Sequence, residues 1–134
     1  MLNIFPDLLN YSFFAPLILR VILGLVFVVH GYPKLFGGKF GETAGFFESV
    51  GIRPAKFWAF IVGVVEFFGG IALILGFATQ LVALLLAINM LVAIWKVKFR
   101  GGFANGYEFD LVLLIIALSL MLTGAGAYAI DLPL

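Results

Sequence analysis

The sequence predicts a four-helix bundle that spans a membrane, on three observations. Apolar residues make up 64% of the chain and charged residues 11%, and the mean hydropathy is +1.22, far outside the range of a water-soluble domain. Four windows, 13–33, 57–75, 77–95 and 111–130, are long enough to cross a hydrocarbon layer of ~30 Å at ~1.5 Å per helical residue. Runs such as LVALLLAINMLVAIW and LVLLIIALSLML lack the apolar–polar alternation that an outer-membrane barrel strand needs.

The opening MLNIFPDLLNYSFF has no Lys/Arg-rich region and no small-residue cleavage site, so the first apolar segment, 13–33, is expected to be retained. After it, within an interfacial loop over 37–56, KFGETAGFFESVGIRP is too polar to cross. It carries Phe40, Phe46, Phe47 and Val50, which predicts a short helix lying at the interface, a connector before it is a ligand lid. The second segment, 57–75, reaches the third, 77–95, through the tight link GFATQ. The fourth, 111–130, follows Glu108 and Asp110, and Asp110 reads as a negative charge favouring that helix N-terminus. LFGGKF and FRGGFA echo each other after the first and third segments, as shared loop composition more than as duplication.

Lys34, Lys39, Arg53 and Lys56 follow the first segment, and Lys96, Lys98 and Arg100 follow the third, whereas the opposite side carries Asp7 and Asp131. The positive-inside bias makes the two basic loops cytoplasmic and puts both termini outside, in a prokaryotic inner membrane. Seven basic residues against Glu42 and Glu48 suit anionic lipid headgroups, and no soluble domain presents them to nucleic acid. The chain has no Cys, which excludes disulfide exchange, thiolate nucleophiles and Cys-ligated clusters. Any redox role therefore uses a bound cofactor. One His cannot give bis-His haem ligation, and Glu66 and Glu108 lie on different segments, so neither haem nor another metal is expected.

Depth and helical phase select the candidate residues. At ~1.5 Å per residue, His30 lies ~6 Å and Arg20 ~21 Å from Lys34, Glu66 ~15 Å from Lys56, and Asn89 ~10 Å from Lys96. At 100° per residue, Arg20, Phe27, His30 and Lys34 fall within about 80° of one another on the first segment. Gly63, Glu66 and Gly70 form a stripe on the second, where small residues admit another backbone. Asn89 aligns with Ala93 and Lys96 on the third, and Glu108 with Ile115, Ser119 and Gly126 on the fourth. A charge facing lipid near mid-bilayer costs at least ~2.5 to 3.5 kcal/mol, so Arg20 and Glu66 are expected to pair. Two readings of this polar core stand side by side. In one, it is a clamp fixing helix register, with His30 bonded to a carbonyl or to Glu66. In the other, His30, Glu66, Asn89 and Glu108 line a pocket where His and Glu exchange protons with a bound molecule.

Arg20, His30-Gly31 with Lys34, Glu66 before Gly69-Gly70, LILGFAT at 73–79, NGYE at 105–108 and GAGAYAID at 124–131 together resemble the DoxX family of small membrane proteins. The resemblance covers nearly the whole chain, 1–134, as a single domain. Family members often have a basic or hydroxyl residue where this chain has Ala127 and Ala129, and a second His where it has Lys96 and Lys98, which counts against haem or a two-histidine mechanism. The resemblance implies a membrane subunit of a quinone-linked oxidoreductase, of thiosulfate or oxidative-stress chemistry, that receives electrons from a soluble or membrane redox partner. On that reading His30 and Glu66 are catalytic, and Arg20, Lys34, Asn89 and Glu108 bind a quinone. The alternatives are a non-catalytic scaffold or assembly partner, and a small transporter, which would need a homo-oligomer to provide a path.

Overall fold

In the computed structural model, which describes residues 3–131, the chain forms α1 (Ala15–Leu35), α2 (Phe40–Ser49), α3 (Ala55–Leu75), α4 (Thr79–Ala93) and α5 (Glu108–Thr123). A 3-10 stretch, Pro6–Phe14, leads into α1, and a π-helical turn, Ile94–Lys98, extends α4. Four stretches, Pro6–Leu35, Ala55–Leu75, Thr79–Gly101 and Phe103–Thr123, are long and apolar enough to cross a membrane. Because the connections alternate, both basic loops fall at one end of the bundle. α2 is the short helix expected between the first two spans.

Within lipid, apolar surface gives little drive for helices to associate, so close packing and hydrogen bonds must hold them together. The α1–α3 seam meets this need with backbone contact. A Cβ at Gly24 would overlap the carbonyl of Gly70, and one at Gly70 would meet the carbonyl of Gly24. The buried stripe of α3, Ala59, Gly63, Glu66, Gly70 and Leu73, includes the three residues that helical phase selects. α4 joins through Leu86, Ala87 and Met90, which pack with Leu23, Phe27 and Leu73 and with Leu113, Ala117 and Leu120 of α5.

The last span differs from the expected 111–130. α5 ends at Thr123, where Gly124 takes φ 74° and Gly126 takes φ 72°, backbone that glycine adopts without steric cost. Residues 124–131 fold back as a strap, with Ala127 N–H on the Phe13 carbonyl (3.2 Å), Ile130 N–H on Leu75 (3.2 Å) and Asp131 N–H on Gly76 (2.9 Å). The inward stripe of α5 is Asp110, Leu113, Ala117 and Leu120, not Glu108, Ile115, Ser119 and Gly126. Ser119 needs no interior partner, because its hydroxyl donates to the Ile115 carbonyl one turn back (2.9 Å).

Arg20 explains the strap. It is 0% exposed, and Nε donates to the Ala125 carbonyl at 2.9 Å, one terminal nitrogen to Leu73 (3.1 Å) and Ile74 (2.6 Å), and the other to Ala127 and Tyr128 (both 2.6 Å). All five guanidinium donors are thereby used. The expected Arg20–Glu66 pair does not form. The last carbonyls of a helix have no intrahelical donors and carry the negative end of its dipole, and those of α3 lie beside Arg20, while Glu66 lies toward the basic end. Gly76, at φ 72°, ends α3 in a Schellman turn, with Phe77 N–H on Ala72 (2.8 Å) and Gly76 N–H on Leu73 (3.1 Å). With Ile130 and Asp131 on Leu75 and Gly76, every carbonyl from Ala72 to Gly76 has a donor.

Asp131, which the sequence marks as an acidic residue of that side and as the end of GAGAYAID, closes the arrangement. Its carboxylate accepts from the N–H groups of Ala78 (2.6 Å) and Thr79 (2.8 Å) and so caps α4 from a distant part of the chain. Burial pushes the Asp131 carboxyl up, but the Thr79 and Ala78 N–H groups and the nearby Arg20 charge outweigh it and hold it below the usual carboxylate value.

Arg20→Leu should lower stability by about 3 kcal/mol or more, since each buried acceptor left unpaired costs about 1–3 kcal/mol. Thermal unfolding in mild detergent, read as a large fall in Tm against wild type, checks this. A carboxyl depressed on folding adds stability that is present above its unfolded value of about 3.9 and is lost as pH falls through the folded value. Wild type should therefore lose stability on acidification below about pH 4 more steeply than Asp131→Asn, as Tm measured across that window would record.

Candidate functional site

A cavity of about 900 Å³ lies toward the basic end, bounded by α1, α3, α4 and α5 and walled on one side by α2. It exists because α3 and α4 touch near the far end of the bundle and then part. Gly69 of α3 sits against Val82 and Leu86 of α4, whereas the next turns of both helices, toward the basic loops, line open space. Phe46 and Phe47 of α2 join Phe27 and Phe109 in an aromatic lining. The interfacial helix is thus part of the wall as well as a connector.

Glu66 is a buried acidic group, 4% exposed. One oxygen accepts from Lys34 Nζ at 2.7 Å and the other from Asn89 Nδ2 at 3.0 Å, so α1, α3 and α4 meet on one carboxylate. Glycine makes this geometry accessible, since at Gly31 a Cβ would meet the backbone and Cβ of Glu66. A lysine can reach inward from the interface because its long stem lies along apolar surface. A second pair, Lys98 Nζ to Asp110 Oδ1 at 3.1 Å, joins the π-helical turn to the first turn of α5.

Of the candidates from the sequence, His30, Lys34, Glu66 and Asn89 all line this cavity. Lys34, Glu66 and Asn89 are bonded together. His30 stands apart from them, exposed, with its ring edge-on to Phe109 at 6.1 Å and 65°. Arg20 and Glu108 are not among the lining residues. Arg20 spends its donors on the strap, and Glu108 lies two residues before the position of α5 that turns inward. That position is Asp110, 4% exposed and ion-paired. It stands in the first turn of α5, where a negative charge favours the helix N-terminus as expected, but its carboxylate is spent on Lys98 and makes no side-chain cap. A signal for the Lys98–Asp110 pair was present, because opposite charges bracket a loop that joins two antiparallel helices.

The arrangement presents hydrogen-bond donors to an aromatic-walled space that a flat apolar molecule could fill, within the size range of small-molecule pockets. Lys34 and Asn89 offer N–H groups held in place by Glu66, and His30 can give or take a proton. In Lys34–Glu66 the side chains are 27% and 5% exposed, so the pair is largely out of water. Breaking such a pair costs about 3–5 kcal/mol, because the charge left behind has no partner. Lys34→Met should approach the lower end of that range, as Lys34 is partly wetted, and Lys34→Met with Glu66→Leu should recover much of the loss. Tm values for the two singles and the double check this, and strictly additive effects would contradict it.

A family model described as DoxX matches residues 15–98. The chain is 40% identical over 124 residues to a Bacillus subtilis protein named "Putative oxidoreductase CatD", covering 92% of this chain and 90% of the relative. It is 34% identical to an uncharacterized membrane protein of Mycobacterium tuberculosis over 84% of this chain and 77% of that one. It is 30% identical to the inner membrane protein YqjF of Escherichia coli over 86% and 88%. No solved structure matches the chain.

Proposed function

Because the chain belongs to the DoxX family of multi-pass membrane proteins, we propose that it is the membrane subunit of a quinone-linked oxidoreductase. The observation that carries this reading is the cavity itself, with aromatic walls and the donors of Lys34, Asn89 and His30 turned to one space. A relative 40% identical over nearly its whole length carries an oxidoreductase name, which supports the same reading. A quinone fits the residues present, since its ring is flat and apolar and its two carbonyl oxygens accept hydrogen bonds.

Lys34 and Asn89 would hold one carbonyl oxygen, and Glu66 fixes the direction of both donors. His30, across the aromatic lining, carries a proton to or from the ligand and exchanges it with water at the basic end, which the positive-inside bias makes cytoplasmic. A bound quinone supplies the acceptor for two electrons and two protons. The electrons come from a redox partner protein, as this chain has no Cys and a single His. Arg20 has no part in the site and acts on it only through the fold.

A scaffold role is the second reading, favoured by one observation. Both Glu66 oxygens are already satisfied inside the protein, as a purely structural network would require.

Mass spectrometry of small molecules that copurify in mild detergent separates the two readings. Wild type should carry quinone near one per chain, and His30→Ala and Glu66→Gln should each lose most of it. If all three carry only the same bulk lipid, the quinone reading fails and the polar core is a packing device.

A further inference from the structure

We infer that the cavity is filled sideways from the lipid, through a slot between α3 and α4, and that its ligand carries an apolar tail that stays in this slot. The inference rests on the quinone reading above and narrows it, making the substrate a prenylated membrane quinone and not a water-soluble one.

Two helical faces form the slot. On α3 the lining residues Trp58, Ile61, Val62 and Val65 recur at the spacing of one face, and on α4 Leu85, Ile88 and Val92 do the same. From Trp58 to Val65, or from Leu85 to Val92, each face runs ~10 Å along its helix. Four of these residues line the cavity and keep much of their surface uncovered, with Ile88 50%, Leu85 43%, Trp58 42% and Val92 40% exposed. Such exposure is what a wall opening between two helices onto the perimeter gives, and here all four side chains are apolar. In a membrane that perimeter at this depth is hydrocarbon.

The remaining sides are closed, charged or polar. Backbone contact between Gly24 and Gly70 shuts the α1–α3 seam and the Lys98–Asp110 pair joins the α4 extension to α5, while on the α1–α5 side, where Phe109 is 47% exposed, the exposed His30 imidazole meets a hydrocarbon chain with a polar ring. The mouth at the basic loops carries Glu42, Arg53 and Lys96, groups against which a hydrocarbon chain would have to displace water. Between α3 and α4, by contrast, Asn89 to Glu66 is a single hydrogen bond at 3.0 Å, and it stands at the inner end of the slot. A ligand with a polar ring and an apolar tail therefore has one orientation, the ring at Glu66, Asn89 and Lys34 and the tail along Val62, Val65 and Ile88 toward lipid. Its path in and out never crosses the water interface.

The chemistry of the slot is that of a hydrocarbon chain, which a phospholipid also has, so the test separates the two. Binding of a naphthoquinone with a short prenyl tail, and of the same naphthoquinone with none, is measured on the purified protein in nanodiscs for wild type, Ile88→Trp and Leu118→Trp. Ile88 and Leu118 are both lipid-facing and tolerate a larger side chain, but Leu118 does not line the cavity. Filling the slot in Ile88→Trp should weaken the tailed quinone about tenfold and leave the tail-less one within about twofold, while Leu118→Trp changes neither. A photoreactive group at the tail end should label Leu85, Ile88 or Val65. If Ile88→Trp lowers neither ligand or both alike, or if label appears at the α2 mouth, the slot is overturned. If phospholipid holds the slot against the tailed quinone while the tail-less one binds, the slot belongs to lipid and the inference is overturned. If neither quinone binds wild type, the underlying functional reading fails instead.

Discussion

A guanidinium at membrane depth has no water to bind, so every one of its N–H groups must find an acceptor within the protein. Arg20 finds five carbonyls, and the far end of the bundle is organised around that need. Two of the acceptors are the loose ends of α3, which Gly76 exposes by turning the chain left-handed. The other three belong to the strap, which exists because Gly124 and Gly126 stop α5 short. Asp131 then sits where the cation favours a carboxylate and where α4 begins without a cap of its own. One charge thereby ties α1, α3, α4 and the end of the chain into a unit.

The basic end is built on the opposite plan. There the charges are paired with side chains, Lys34 with Glu66 and Lys98 with Asp110, and the helices part around a cavity. Fixing one end lets the other diverge without loss of register, because the α1–α3 seam and the Arg20 node already set the relative height of the helices. The polar groups of the cavity are thus not needed to set that register. Lys34 and Asn89 both donate to Glu66, which holds them aligned at the cavity wall.

Much of this was legible in the sequence, and the misses share a cause. The spans, the interfacial helix and the stripe of Gly63, Glu66 and Gly70 follow from length, hydropathy and helical phase, which act through side chains. The same argument brings His30, Glu66 and Asn89 to one space, and Lys34, which it sets on the His30 face of the first span, joins them there in place of Glu108. Arg20 was assigned to Glu66 because a sequence displays carboxylates and hides backbone carbonyls freed at a helix end. The fourth span was drawn to residue 130 because Ala and Ile continue its apolar character past Thr123, while two left-handed glycines decide otherwise. Phase aligns Glu108 with Ile115, Ser119 and Gly126, but the Ser119 hydroxyl is satisfied within its own helix and the buried stripe starts from Asp110.

The strap has a consequence for how the chain becomes a protein in the membrane. Arg20 enters the bilayer with the first span, but its acceptors at Ala125, Ala127 and Tyr128 lie 105, 107 and 108 residues further along the chain. Until they are in place, the guanidinium has only the Leu73 and Ile74 carbonyls of α3 as partners. A chain interrupted before the strap would leave three of the five guanidinium donors and the Leu75 and Gly76 carbonyls without these partners. The node that holds the fold thus makes the first span wait on the segment that follows the fourth.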